Sequence, residues 1–271
     1  MIAPPPPRAR ADRIGAVEVH HVVTGPEDAP VVVLSNSLGS TTSMWDAQAD
    51  ELAEHFRVVR YDTRGHGGSS VPQGPYVIDD LADDVVALLD RLGVEKAHFV
   101  GLSLGGMTGM RLAARNPERV DRLVVLCTGA KLDPSSAWHD RAATVREGGS
   151  QAVAEAVVAR WYTPAFLEKN PDVKAACEGI VAATPAEGYA SCCEVIAEMD
   201  LRDDLPRIAA PTLAIAGADD PATPPPHLET IADSVQDGRL LVVPGSAHLA
   251  NAEQPHAVTP AIIQHLKGST A

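Results

Sequence analysis

Residues 99–107 read FVGLSLGGM. An apolar run passes into a serine with glycines two positions before it and two after, and small and apolar residues follow. The G-x-S-x-G spacing has a mechanical meaning when a strand precedes it and a helix follows. Gly101 and Gly105 then let the chain turn sharply enough to hold Ser103 in a strained conformation with its Oγ exposed. Both flanks have the required character. Ala97–Gly101 is an apolar run of strand length, and Met107–Ala114 is read as a helix stopped by Asn116 and Pro117.

Outward from this turn, short runs rich in Val, Ile and Leu alternate with longer segments of helical period. The runs are Val17–Val23, Val31–Leu34, Val58–Tyr61, Ala97–Gly101, Val120–Cys127, Thr212–Ala216 and Arg239–Val243. That alternation predicts an α/β fold with a mostly parallel central sheet covered by helices on both faces. The first strand is placed antiparallel at an edge. Leu81, Val85, Leu88, Leu89 and Leu92 recur at helical spacing, with Asp79 read as the N-cap and Gly93 closing the segment. From 131 to 205 the strand signal vanishes, and Val153, Ala156, Val157 and Trp161 fall at helical intervals. A stretch this long is read as a helical lid inserted into the core, which comprises 14–130 and 206–271. The first 13 residues, with their run of prolines, are read as a disordered arm.

The composition sets limits. With 271 residues the chain is long enough for one domain with an insertion, and no apolar run reaches the length of a membrane span. A net charge of −14 with dispersed Lys and Arg argues against a nucleic-acid partner, and requires any anionic substrate to be held by local arginines. The first residues lack the apolar core of a secretory signal. Cys127, Cys177, Cys192 and Cys193 show no C-x-x-C spacing, so they are expected to be reduced, buried thiols in a cytoplasmic protein. No metal or cofactor is expected, and a homo-oligomer is left open.

A serine hydroxyl needs a base within hydrogen-bond reach, and the base needs a carboxylate to orient it. LAIAGADDPATPP (213–225) follows one late strand and LVVPGSAHLANAEQP (241–255) follows the next. The order Ser, Asp, His, each after a strand, resembles that of α/β-hydrolases. His248 is therefore the candidate base and Asp220 the candidate acid, with the adjacent Asp219 as the alternative. The fold also supplies two backbone donors for the oxyanion: the amide after the nucleophile, here Leu104, and one from the loop after an earlier strand. SNSLGS (35–40) is that loop, with Leu38 as the candidate and Ser37 or Gly39 as alternatives. His66 in DTRGHGGSS reads as a packed turn histidine.

The segments LSNSLGSTTSMWDAQ, FRVVRYDTRGHGGSSVPQGPY, GLSLGGM, EGYASCCEVIAEMDLR, GADDPATPP and AHLANAEQP together resemble 3-oxoadipate enol-lactonases, and the resemblance runs from Ile14 to Leu266. The Ser-Asn-Ser-Leu-Gly form of the oxyanion loop, where much of the wider fold has His-Gly, is its most specific part. The Pro-rich arm has no counterpart in that family, and the decarboxylase domain fused to some members is not expected here. The resemblance implies a cytoplasmic carboxylic ester hydrolase of aromatic-compound degradation, with Ser103, Asp220 and His248 as its catalytic triad and no cofactor. Ser103 would attack the lactone carbonyl, the ring would open by loss of an enolate, and water would release 3-oxoadipate. Such a substrate carries a free carboxylate, so Arg141 and Arg160 in the lid are candidates to bind it, near an apolar wall of Trp138 and Trp161. The competing readings are a carboxylesterase, a C–C bond hydrolase or a perhydrolase of the same fold, and a non-catalytic ligand-binding homologue.

Overall fold

The computed structural model describes residues 16–268, so the Pro-rich arm lies outside the described residues. Seven strands form one sheet: β1 (His21–Thr24), β2 (Val31–Ser35), β3 (Arg57–Tyr61), β4 (Ala97–Leu102), β5 (Val120–Leu126), β6 (Thr212–Gly217) and β7 (Gly238–Val243). Their spatial order is β1-β3-β2-β4-β5-β6-β7, with β1 antiparallel to β3 and the remaining pairs parallel. This is the doubly covered α/β sheet that the Val/Ile/Leu runs predict. Every residue of β4 and β6 is buried, as parallel strands covered on both faces must be. Edge strand β7 instead leaves Leu240 and Val242 exposed.

Helices α1 (Asp46–Ala53), α2 (Ile78–Arg91) and α3 (Leu104–Arg115) lie in the first half of the chain. Between β5 and β6 come α4 (Ser135–Gly148), α5 (Ala154–Trp161), α6 (Pro164–Lys169), α7 (Pro171–Ala183) and α8 (Ala186–Glu198). After β6 follow α9 (Pro225–Ser234), α10 (Ala250–Glu253) and α11 (Pro255–Leu266). None of the described helices is long and apolar enough to cross a membrane.

Three local expectations need correction. The first strand is shorter than Val17–Val23, because only His21–Thr24 pairs with β3. Helix α3 begins at Leu104 rather than Met107, directly after the serine. Asp79 is not the N-cap of α2. Val77 holds that place, and Asp80 reaches back to accept a hydrogen bond from the Val77 amide at 2.9 Å. Asp79 instead binds Arg111 at 2.6 Å and Arg115 at 2.8 Å, tying α2 to α3.

Arg64 escaped the sequence reading. It is fully buried, with Nε 2.6 Å and Nη2 2.7 Å from the two carboxylate oxygens of Asp84. Its Nη2 also donates to the Asp80 carbonyl, and the guanidinium lies over the Tyr76 ring. A bidentate pair of this kind fixes the turn after β3 against α2. Arg64→Ala removes the guanidinium and leaves the Asp84 carboxylate buried. It is expected to destabilise the protein by roughly 3–5 kcal/mol, read as a lower midpoint in urea unfolding.

Candidate active site

The carboxyl ends of β2, β4, β6 and β7 open into one region, where ligands of α/β sheets collect. Strand β4 ends at Leu102 and α3 starts at Leu104, so Ser103 alone makes the turn, with φ 55° and ψ −115°. The strain sits on the serine itself, as the motif predicts. Neither Gly101 nor Gly105 has a positive φ. They are required because a Cβ at 101 would lie 2.2 Å from the Gly105 carbonyl oxygen, and one at 105 would lie 2.3 Å from that of Ser35. Helix α3 starts so close to the ends of β4 and β2 that a side chain at either place would push it away from one of them.

After β6, Asp220 is buried, while Asp219 points outward and is exposed. Asp220 Oδ2 lies 2.8 Å from His248 Nδ1. An ionised carboxylate can only accept, so the imidazole carries its proton on Nδ1, which leaves Nε2 as the basic nitrogen. Burial alone would raise the Asp220 carboxyl. The opposing charge of His248, its hydrogen bond, and further bonds from Thr223 and the Ala222 amide outweigh burial and hold it at about 2. Thr223 was not foreseen. Its hydroxyl donates to Asp220 Oδ2 at 2.7 Å and lies 3.3 Å from His248 Nδ1. The amides of Ala222 and Thr223 donate to Asp220 Oδ1, closing a turn in which an Asp accepts from residues two and three further on.

Ser103 and His248 line the same cavity, of about 220 Å³, and both are nearly buried. Among the described residues no hydrogen bond joins them. Contacts of this type are often long in a free enzyme and shorten around the substrate.

The loop after β2 shows why it is built from small polar residues. Asn36 donates to the Tyr61 carbonyl at 2.8 Å and accepts from Trp45 Nε1 at 3.0 Å, and Ser35 Oγ lies 2.7 Å from Tyr61 OH. Ser40 Oγ donates to the Ser37 carbonyl at 2.7 Å. His66 is the packed histidine of the sequence reading. It is buried, and its Nε2 accepts from the Gly39 amide at 3.0 Å. The backbone amides then sort themselves. Ser37 N–H is directed at Met44 Sδ, Gly39 N–H at His66, Ser103 N–H at the Leu126 carbonyl and Gly105 N–H at the Asn36 carbonyl. Among the described residues, Leu38 N–H and Leu104 N–H have no protein acceptor.

Trp138, Arg141, Arg160 and Trp161 all line the cavity with Ser103 and His248. The Arg141 guanidinium lies 4.5 Å over the Trp138 ring. Arg111, Arg115 and Arg146 are paired with carboxylates, whereas no ion pair joins Arg141 or Arg160 to a carboxylate among the described residues. Burial, and secondarily the neighbouring Arg141 charge, lower the pKa of the Arg160 guanidinium. Two cations without ion pairs on one cavity wall favour an anionic ligand there, while the exposed carboxylate of Asp133 lines the same cavity.

The end of α5 and the turn after it are fastened to the loop that carries His248 on both sides of that residue. Leu249 N–H donates to the Trp161 carbonyl at 2.8 Å. Glu253, a buried carboxylate, accepts from the Ala247 amide at 2.9 Å and from both the amide and the hydroxyl of Thr163. No group of three or more His, Cys, Asp or Glu side chains among the described residues is placed to hold a metal ion.

The profile of a family described as alpha/beta hydrolase fold matches residues 30–255. The chain belongs to that family. Among hydrolases of this fold it is similar to 3-oxoadipate enol-lactonase 2 of Acinetobacter baylyi, at 43% identity over 91% of this chain and 92% of the relative. The enol-lactonase of Burkholderia xenovorans LB400 superimposes with a TM-score of 0.91 at 41% identity, covering 93% of this chain and 97% of that one. A thermophilic esterase of Thermogutta terrifontis, solved with malate bound, gives 0.88 at 31% identity, covering 93% and 94%. The enol-lactonase resemblance carried by the short motifs thus extends over nearly the whole alpha/beta hydrolase chain.

Proposed function

We propose that this chain is a serine-dependent enol-lactonase that opens 3-oxoadipate enol-lactone to 3-oxoadipate. The observation that carries the reading is the pair of arginines without counter-ions in the cavity that also holds Ser103 and His248. A general esterase has no need of a cation pair there, whereas a lactone with a free carboxylate does. The names of the Acinetobacter and Burkholderia relatives support the lactone. The malate held by the Thermogutta esterase supports a carboxylate ligand in this fold.

In the reaction His248 Nε2 takes the Ser103 proton as Oγ attacks the lactone carbonyl, and Asp220 stabilises the resulting imidazolium. The amides of Leu38 and Leu104 receive the developing oxyanion, their hydrogen bonds strengthening as charge builds on the oxygen. The ring C–O bond breaks and releases an enolate, whose delocalised charge makes it a better leaving group than an alkoxide. It is protonated by the imidazolium and ketonises. Water, deprotonated by His248, then cleaves the acyl-serine to give the second carboxylate and restores Ser103. Arg141 and Arg160 hold the substrate's own carboxylate, Trp138 and Trp161 wall the apolar part, and residues 131–205 serve as the lid. The four free thiols support a reducing compartment, the cytoplasm.

Loss of enol-lactone absorbance with stoichiometric appearance of 3-oxoadipate tests the reading. Rapid hydrolysis of neutral p-nitrophenyl esters with no turnover of the lactone would replace it by a carboxylesterase. Arg141→Ala and Arg160→Ala should each lower the preference for the lactone over a neutral ester, as a ratio of kcat/KM, by about 10- to 100-fold, the range for losing a hydrogen bond to a charged group. Equal losses on both substrates would remove the arginines from carboxylate binding.

A further inference from the structure

We propose that the hydroxyl of Tyr189, on lid helix α8, is a third donor to the substrate's carboxylate and makes Tyr189 a specificity-determining residue of this site. The inference rests on the lactonase reading and extends it to a residue of EGYASCCEVIAEMDLR (187–202) to which the resemblance gave no role.

The chain has four tyrosines, and three of their hydroxyls have protein partners. Tyr61 OH meets Ser35 Oγ at 2.7 Å, Tyr76 OH donates to the Pro72 carbonyl at 2.5 Å, and Tyr162 OH lies 3.6 Å from Cys177 Sγ. Tyr189 is wholly buried, yet its hydroxyl has no partner within hydrogen-bond distance and angle among the described residues; the Arg141 guanidinium, whose influence reaches the phenol, carries donors only and cannot accept the phenol proton. A buried hydroxyl left unpaired is costly, so such groups are rare and call for an explanation. Tyr189 lines the same cavity as Arg141, Arg160, Ser103 and His248, and a ligand there supplies the missing acceptor.

The ring is fixed before any ligand arrives. It packs on Gly39, where φ is +78° and an added Cβ would come within 2.8 Å of Tyr189 Cε2, and it stands 6.4 Å from the His66 ring, centroid to centroid. A hydroxyl held in this way loses little conformational freedom on binding. Burial pushes the phenol above its ordinary value, with Arg141 and Arg160 pulling weakly the other way, so the group stays protonated and able to donate at neutral pH. A carboxylate has about four lone-pair sites for incoming donors. Two guanidiniums and one phenol can therefore share a single carboxylate.

Tyr189→Phe removes one oxygen and keeps the ring. Adipate, a dicarboxylate that lacks the reactive ester, serves as the probe. Its inhibition constant, and its dissociation constant by calorimetry, should rise about tenfold or more in the variant, the loss expected for one hydrogen bond to a charged acceptor. The kcat/KM ratio of lactone to p-nitrophenyl acetate should fall by a similar factor, chiefly through KM. The Tm should stay level or rise, because the hydroxyl gives its proton to no protein acceptor. Unchanged adipate binding, an equal loss on the neutral ester, or a Tm lowered by several degrees would each overturn the proposal. Failure of the lactonase reading would be seen separately, as absence of lactone turnover by the wild type. The adipate titration judges Tyr189 in either event.

Discussion

Ser103→Ala is expected to lower kcat/KM by about 10⁵- to 10⁶-fold, the scale on which removal of the nucleophile of a triad abolishes catalysis. The residual rate comes from the oxyanion amides and from binding, which the substitution leaves in place. The backbone makes a second substitution informative. Ser103 stands at φ 55° and ψ −115°, and a non-glycine residue in such a conformation costs on the order of 1–3 kcal/mol. Alanine keeps that cost, while glycine removes it. Ser103→Gly should therefore be as inactive as Ser103→Ala but melt a few degrees higher, since about 1 kcal/mol moves Tm by about 2–4 °C at this size. Paired calorimetric scans and a serine-directed phosphonate label decide the point. Labelling that survives in Ser103→Ala would place the nucleophile elsewhere, and equal melting temperatures would show that the turn is not strained.

Asp220→Asn is the second large effect, with an expected loss of about 10⁴-fold in kcat, as when a triad aspartate becomes neutral. The amide nearly matches the carboxylate in shape, but it presents an N–H₂ where His248 Nδ1–H and the Thr223 hydroxyl now both donate to Oδ2. To keep a hydrogen bond the imidazole must move its proton to Nε2, the nitrogen that has to accept the serine proton. The substitution also has a signature in stability. Asp220 is held at about 2 in the folded protein, below the roughly 3.9 of a free aspartate. A depressed carboxyl contributes stability that is fully present above the unfolded value and is lost as pH falls through the folded one. The wild type should thus lose more stability than Asp220→Asn between about pH 4 and pH 2. Parallel acid titrations of the two proteins, followed by circular dichroism, would refute this ionic role if they coincide.

The sheet was legible because strands buried on both faces leave continuous Val, Ile and Leu runs, and β2 to β6 fall within a residue or two of those runs. Ser103, Asp220 and His248 stood out as candidates because triad chemistry demands one residue type after each of three strands. Polar residues whose partners lie far along the chain carry no such signal. Arg64 finds Asp84 across a turn and a helix, Glu253 finds Thr163 from 90 positions away, and nothing periodic marks either pair. Thr223 had a weak signal, standing three residues after Asp220 as in a turn closed by an aspartate. Asp79 misled because any acid near a helix start resembles a cap, whereas here the acid one place later reaches back to Val77. Tyr189 stands in EGYASCCEVIAEMDLR, where neither spacing nor resemblance gave it a role. Only the lack of a partner for its hydroxyl sets it apart.

The fastening at Glu253 gives the molecule an interlock. One carboxylate grips both Thr163, just past α5, and the Ala247 amide beside the imidazole, so the placement of His248 is coupled to that of a segment some 85 positions earlier in the chain, and Glu253→Gln is expected to loosen both together.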